Sequence, residues 1–172
     1  MLRYAYMDSP IGRIRLSATG KGLAGVHMED HAHQPAGPPE GTEVSDSAPC
    51  PIIGQGIDEL GEYFAGTRTR FDVTLDPSGT DFQQRVWALL RTIDHGTTRS
   101  YGDLAAALGD PHLSRAVGTA NGRNPLSIIV PCHRVIGADG SMTGYGGGVD
   151  RKLFLLRLEG VLPSAEDQPP LF

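Results

Sequence analysis

A turn-forming segment, Pro77-Ser78-Gly79, divides this 172-residue chain into two halves with different patterns. Before it, short runs of apolar residues alternate with polar ones, which is the period of β-strands. After it, apolar residues recur every three or four positions, which is the period of helices. The chain therefore cannot be all-β or all-α. We predict the α+β class, with an N-terminal α/β domain over residues 1–79 and a mostly helical C-terminal domain over residues 80–160.

The N-terminal domain is predicted to contain a small antiparallel sheet. Three strand-like runs, RYAYMD, RIRLSA and LAGVHM, are joined by turns, the first of which is Ser9-Pro10-Ile11-Gly12. Proline at the first central position with glycine closing is typical of a tight turn. Residues 52–64 show a helical apolar stripe that stops at Gly66, and residues 70–76 alternate as a half-buried strand would.

Residues 29–51 carry no periodicity and are rich in Pro, Gly, Ser and acids. We predict that they form a long mobile loop, and that the acidic residues 161–172 form a flexible tail. His27, His31 and His33 are spaced like metal ligands, but no fourth ligand stands near them. A closed zinc site needs four ligands. We therefore predict no metal.

The second half contains two helix-start signals. Thr80-x-x-Gln83 and Ser100-x-x-Asp103 are capping boxes, in which side chain and backbone satisfy each other's unpaired groups. The first opens a helix that ends before Gly96. The second opens a shorter one, closed at Gly109 and followed by Asp110-Pro111, which start another helix. Two short helices joined in this way predict a helix-turn-helix, although an ordinary helical hairpin has the same pattern.

Composition excludes several classes of protein. No apolar run approaches the 18 or so residues that cross a bilayer, and the N-terminus lacks the apolar core of a secretory signal. Only two cysteines are present, so we predict a reduced, cytoplasmic protein without a disulfide framework. The net charge is −5, yet residues 81–160 hold nine of the fifteen basic groups. An anionic partner would therefore meet the C-terminal half.

The apolar run 128–130 ends at Pro131-Cys132-His133-Arg134. A cysteine is most often a buried small hydrophobe, so Cys132 beside one histidine is a weak signal alone. Three neighbours strengthen it. Pro131 ends a strand or sits at its edge, Arg134 would favour the thiolate, and the glycine-rich segment 144–148 allows close approach to a ligand.

Several ordered motifs resemble one family, the O6-alkylguanine-DNA alkyltransferases. The central one is Val130-Pro131-Cys132-His133-Arg134-Val135-Ile136. In the family's order and spacing the chain also contains Ser100-Tyr101-Gly102-Asp103-Leu104-Ala105, Arg115-Ala116-Val117-Gly118, Asn124-Pro125 and Leu158-Glu159-Gly160. The resemblance is strong over residues 80–160. Over residues 1–79 it is loose and rests on Asp8-Ser9-Pro10-Ile11-Gly12.

The resemblance implies an enzyme of DNA repair by direct reversal. The Cys132 thiolate would displace the alkyl group from O6 of a damaged guanine in double-stranded DNA, after that base is flipped out of the helix. The group stays on sulfur, so each molecule acts once, as a methylated-DNA–protein-cysteine methyltransferase (EC 2.1.1.63). No cofactor is needed. A monomer is expected, and cooperative binding on DNA is left open.

The family pattern also implies roles for four further residues. His133 would activate Cys132 through a water molecule, because neighbours in an extended segment project to opposite sides. Glu159 would orient His133, and Tyr101 would rotate the nucleotide and donate a proton to the leaving base. Asn124 would tie the helix-turn-helix to the cysteine loop. Without the resemblance, Glu159 reads as a solvated helix acid and Asn124 as a turn residue.

Two sets of contacts complete the expectation. Arg115 would fill the gap left by the flipped base, and small residues on its helix would allow close approach to the minor groove. The expected DNA contacts are Ser114, Arg115, Ala116, Thr119, Gly122, Arg123 and Arg134. The expected base pocket is formed by Tyr101, Val135, Tyr145 and Gly146. Gly146 stands where some relatives carry Ser, which leaves the range of lesions open.

Three alternatives remain at this point. An alkyltransferase-like sensor would bind lesions without repairing them, but such proteins lack the cysteine that is present here. A DNA-binding regulator would use the helix-turn-helix alone and would need a dimerising element, which the sequence does not show. A cysteine hydrolase would need a separate downstream histidine.

Overall fold

The first three strands form an antiparallel meander in the computed structural model, which describes residues 2–30, 40–45, 49–142 and 145–163. The strands are β1 (Arg3–Met7), β2 (Ile14–Ala18) and β3 (Leu23–Met28), with β2 in the middle. The predicted turn is present, since the Gly12 amide donates to the Ser9 carbonyl at 3.1 Å. This confirms the sheet predicted from the alternation of the three runs.

A fourth strand lies inside the segment predicted to be a structureless loop. β4 (Thr42–Glu43) pairs in parallel with β1, so the sheet is mixed and its strand order is β3-β2-β1-β4. The prediction of a purely antiparallel sheet was wrong at this edge, because a two-residue strand is too short to show a period. The rest of the predicted loop includes 31–39 and 46–48, which lie outside the described residues, as do 164–172 of the predicted tail.

Helix α1 (Pro51–Phe64) covers one face of the sheet and begins on a proline, which has no amide hydrogen to leave unpaired. The predicted stripe is present, with Ile53 and Leu60 buried. Residues 70–76 do not form the predicted regular strand. Val73 is buried as predicted, but the one bridge of the segment is from Leu75 to Leu23. The alternation of apolar residues therefore predicted the buried side chain correctly, but it wrongly predicted a regular strand.

The second half contains four helices, whose bounds are α2 (Asp81–Leu90), α3 (Tyr101–Ala107), α4 (Ser114–Gly122) and α5 (Val149–Leu158) within the described residues. Both predicted capping boxes are formed, at Thr80 and at Ser100. Gly109 has the positive φ of a helix end, +94°. The second helix of the helix-turn-helix begins later than predicted. Pro111–Leu113 form one 3₁₀ turn, capped by Asp110, and the α-helix starts at Ser114.

Helix α2 anchors the helix-turn-helix through Trp87. Its indole Nε1 donates to the Ala120 carbonyl at 2.9 Å, and the ring packs so closely on Gly79 that a Cβ there would overlap it. Val117 and Ala120 face this contact and are buried. The opposite face of α4 is thereby turned outward.

The cysteine segment is not a strand. Ile128 has φ +73°, a conformation that is costly for a β-branched residue, and the chain then closes into one 3₁₀ turn over Cys132–Arg134. After the turn, β6 (Val135–Ile136) pairs in parallel with β5 (Arg99–Ser100). The 3₁₀ turn replaces the extended segment that we predicted, and it corrects the argument that residues 132 and 133 project to opposite sides.

The two halves are joined by backbone and side-chain contacts. The Val26 amide of β3 donates to the Pro125 carbonyl at 2.8 Å. Arg151 of α5 donates to the carbonyls of Ile11, Glu29 and Gly147. These contacts hold the edge of the sheet beside the segment that follows the cysteine turn. Among the described residues, none of the helices has the length and apolar character required to cross a membrane.

Candidate functional site

Cys132 begins the 3₁₀ turn and is buried, with 3% of its surface exposed. The thiol is therefore almost closed to solvent in this structure. Burial raises the pKa of the thiol. Its polar neighbours act in the opposite direction: the Asn124 amide, the Lys152 charge and the backbone amides of Cys132 and His133 all lower that pKa. The sulfur thus lies in a buried but polar environment.

Lys152 is a cation whose charge acts on the Cys132 thiol, and sequence analysis did not select it. It lies on α5, is fully buried, and its Nζ donates to the Val135 carbonyl at 2.5 Å. Burial lowers its pKa to about 8, while the Cys132 charge acts to raise it. The predicted influence of Arg134 on the thiolate belongs instead to Lys152.

His133 and Glu159 are brought together as the sequence implied. Glu159 caps α5, and its Oε1 lies 2.8 Å from Nε2 of His133, which is fully buried. Burial alone would raise the pKa of Glu159, but hydrogen bonds from His133 and Arg134 hold it well below its usual range. Burial lowers the pKa of His133 against the opposing effect of Glu159. At neutral pH the pair is a carboxylate and a neutral imidazole.

The tautomer of His133 follows from this pairing. A carboxylate only accepts hydrogen bonds, so Nε2 must carry the proton that is shared with Glu159. Nδ1 then presents a lone pair. It is buried and has no hydrogen-bond partner among the described residues. An imidazole held in this way can accept a proton at Nδ1.

Arg134 was predicted to contact DNA, and the structure contradicts this. Its side chain is 7% exposed, and its guanidinium is hydrogen-bonded to groups inside the protein. Nε and the NH2 nitrogen donate to Glu159 at 2.7–3.1 Å, and the NH1 nitrogen donates to the Ile93 carbonyl at 2.6 Å. Arg134 therefore fixes Glu159 in place and does not face a ligand.

Asn124, predicted to tie the helix-turn-helix to the cysteine loop, follows α4 and is hydrogen-bonded to the segment that precedes Cys132. Its Nδ2 donates to the Val130 carbonyl at 2.8 Å, and its Oδ1 accepts from the Leu126 amide at 3.0 Å. Asn121, which sequence analysis missed, reaches the Cys132 carbonyl from α4 at 3.4 Å. The cysteine turn is thus tied to the end of the helix-turn-helix by two amide side chains.

The predicted base pocket is only partly assembled. Tyr101 is half-buried at the start of α3, its ring packs on Gly118 of α4, and both burial and the Cys132 charge raise its pKa. Tyr145 is buried, and its hydroxyl lies 3.9 Å from the Met28 sulfur. Val135 is buried in the core, so its side chain lines no open pocket here. Gly146 is half-buried, and Gly144 lies outside the described residues.

Most of the predicted DNA contacts share the outer face of α4. Arg115, Ala116, Thr119 and Arg123 are exposed there, while Ser114 and Gly122 are half-buried. No ion pair of Arg115 or Arg123 occurs within the described part of the chain. The two guanidiniums are available to an anionic partner.

The described residues contain no group of three His, Cys, Asp or Glu side chains placed to hold a metal ion. His31 and His33, which we considered as ligands, lie outside the described residues.

A helix-turn-helix beside a buried Cys-His-Glu site is typical of a DNA-binding protein that reacts through a cysteine. Comparison with known proteins then shows the family. The profile of the 6-O-methylguanine DNA methyltransferase DNA binding domain matches residues 81–161, and that of the family's ribonuclease-like domain matches residues 2–77. The chain belongs to the 6-O-methylguanine DNA methyltransferase family.

Individual relatives agree with this assignment. The chain is 51% identical over 160 residues to the methylated-DNA–protein-cysteine methyltransferase of Mycobacterium tuberculosis, covering 92% of this chain and 93% of that one. It is 46% identical over 157 residues to the protein of the same name from Methanosarcina acetivorans, covering 91% and 97%. The crystal structure of the M. tuberculosis protein OGT in complex with DNA superposes with a TM-score of 0.82 at 50% identity, covering 92% and 93%.

Proposed function

We propose that this chain repairs DNA by moving an alkyl group, such as methyl, from O6 of guanine in a duplex to Sγ of Cys132. The observation that carries the proposal is the Cys132–Arg134 turn. It places the Cys132 thiol among groups that stabilise negative charge. The next residue is His133, whose Nε2 lies 2.8 Å from the buried Glu159 carboxylate. Such a site serves nucleophilic chemistry by sulfur.

The first step is loss of the thiol proton. Because burial raises the pKa of Cys132, the resting group is the neutral thiol. The lone pair on Nδ1 of His133 is the acceptor that this buried site offers, directly or through a water molecule. Glu159 stabilises the imidazolium that forms, and Lys152 and the Asn124 amide stabilise the thiolate.

The second step is an in-line displacement. A bond forms between Sγ and the alkyl carbon while the bond from that carbon to O6 breaks, and the electron pair stays on the base. The hydroxyl of Tyr101, which is half-buried and keeps its own proton because its pKa is raised, donates a hydrogen bond to the departing guanine. The proton that Cys132 gave to His133 balances the charge left on the base. The thioether is stable, so Cys132 is consumed and the protein acts once.

The damaged base can reach Sγ only after it leaves the stack, which costs a few kcal/mol. It must then enter the protein, because Cys132 is 3% exposed. The outer face of α4 is the surface that would meet the duplex, with Arg115 placed to occupy the gap that the base leaves. Small side chains such as Ala116 would permit this face to approach the minor groove.

This function sets expectations for the whole protein. It would act as a monomer, without a cofactor, wherever chromosomal DNA is present, which in a cell without a nucleus is the cytoplasm. The acidic N-terminal half would stay away from the phosphates, since its charge repels them.

Mass spectrometry of the protein after reaction with a duplex containing O6-methylguanine tests the proposal. We expect the peptide with Cys132 to gain the mass of one methylene group, and Cys132→Ala to bind the duplex without taking up methyl. Cys50→Ala is the matched control and should react like the unchanged protein. Methyl on Cys50, or none on either cysteine, would refute the proposal.

A further inference from the structure

Tyr63 connects the N-terminal half to the site. It lies in the last turn of α1 with 1% of its surface exposed, and its hydroxyl donates to Oε1 of Glu159 at 3.0 Å. The ring is fixed by Phe64, Phe71 and His95, whose ring centroids lie 5.4–6.3 Å away. A tyrosine held this firmly presents its hydroxyl in one place.

The carboxylate of Glu159 divides its hydrogen bonds unevenly. Oε2 accepts from Nε of Arg134 at 3.0 Å, whereas Oε1 accepts from Tyr63, from Nε2 of His133 and from both Nε and the NH2 nitrogen of Arg134. All of those donors except Tyr63 come from the cysteine turn itself. Tyr63 is the donor that the N-terminal half supplies among the described residues. The oxygen that orients His133 is therefore shared with the other domain.

We propose that Tyr63 is a positioning residue for alkyl transfer, which fixes Oε1 of Glu159 and draws part of its negative charge away from His133. The inference rests on the proposed function. Burial raises the pKa of Tyr63, and so does the Glu159 charge, so the hydroxyl keeps its proton and stays a donor throughout the neutral range. Its position makes the N-terminal domain a part of the active site.

The direction of the effect follows from the groups that face this carboxylate. They are Tyr63 from α1, His133 and Arg134 from the turn, and Lys152 from α5 near His133; the His95 ring packs beside Tyr63. Without the phenol, more of the charge on Oε1 acts on His133. The imidazolium becomes more stable, and a higher pH is needed before Nδ1 can accept the thiol proton.

The test is the single-turnover rate of methyl transfer by Tyr63→Phe, measured from pH 5.5 to pH 9. We expect an acidic limb displaced upward by about 0.5–1 pH unit, so that the rate falls most below neutral pH. Tyr4→Phe, which removes a hydroxyl from β1 far from Glu159, should leave the profile unchanged. The ¹⁵N shifts of His133 should show its pKa raised in Tyr63→Phe without any reaction.

A fluorinated tyrosine placed at position 63 alone keeps the hydroxyl and makes it a stronger donor. We expect its acidic limb to move downward, opposite to Tyr63→Phe. If Tyr63→Phe melts at a lower temperature but keeps the rate, the profile and the His133 titration of the unchanged protein, the positioning role is refuted. If the unchanged protein transfers no methyl, the proposed function fails instead, and the two results cannot be confused.

Discussion

The cysteine turn and helix α4 lie in the same half of the molecule and differ in nearly every physical respect. Residues 132–134 are buried, and the side chains of His133 and Arg134 are hydrogen-bonded to one carboxylate. The outer face of α4 is exposed, and its arginines have no ion pair in the described structure. The candidate reactive groups thus lie in a buried turn, whereas the helix face that we predict to meet DNA is exposed. Substitutions in the turn should therefore lower stability, whereas substitutions on the outer face of α4 should lower function with little loss of stability.

The largest expected effect on stability is in the turn, from Glu159→Gln. It leaves the buried Arg134 without its counter-ion, so we expect the free energy of unfolding to fall by about 3–5 kcal/mol. Urea denaturation at pH 7 measures it. Glu62→Gln is the matched control, because Glu62 pairs with Arg68 at an exposed site, where such a bridge contributes less than about 1 kcal/mol.

The stability that Glu159 contributes should also depend on pH, in a direction that its lowered pKa determines. Folding lowers the pKa of Glu159 from its ordinary 4.5, so its contribution is complete above that pH and is lost as the pH falls toward the folded value. The gap between the unchanged protein and Glu159→Gln should shrink below pH 4.5. A gap that stays constant, or a loss no larger than that of Glu62→Gln, would contradict the role of this carboxylate.

On α4 we expect loss of function with little loss of stability. Arg115→Ala should change the free energy of unfolding by at most about 0.5 kcal/mol. Transfer from a duplex should slow by about tenfold or more, since the gap left by the flipped base is no longer filled, whereas reaction with the free O6-methylguanine base needs no flipping. Rates with the two substrates measure this. Equal losses on both would argue against insertion of Arg115.

The smallest effect is expected from Arg123→Ala. A phosphate contact contributes about one counterion, so the slope of log affinity against log salt should fall by about one while the relative preference among sequences is kept. Arg68→Ala, in the N-terminal half, is the control and should keep the full slope. An unchanged slope for Arg123→Ala would place this end of α4 away from the backbone of DNA.

Local signals predicted a large part of this structure. The capping boxes at Thr80 and Ser100 and the helix end at Gly109 were found because each is complete within a few residues. The strand β4 and the single bridge to which the pairing of residues 70–76 is limited both depend on distant partners. No period in the sequence carries that information.

Some residues of the candidate site were likewise predicted from the sequence, and others were missed. The roles of Cys132, His133 and Glu159 came from the resemblance to a family, and the structure brings His133 and Glu159 within 2.8 Å. Lys152 and Tyr63 were missed, because on amphipathic helices a lysine and a tyrosine look like surface and core residues. Arg134 was assigned to DNA because its charge is visible in the sequence, whereas its burial against Glu159 is not.

The tight enclosure of Sγ has a consequence for the molecule after its work is done. Cys132 sits with 3% of its surface exposed, so the methyl group that it acquires is taken up inside the protein and not by solvent. Overfilling a packed interior typically costs about 1–3 kcal/mol. The reacted protein should therefore unfold at a lower temperature than the unreacted one, and its melting temperature would report how much of it has been consumed.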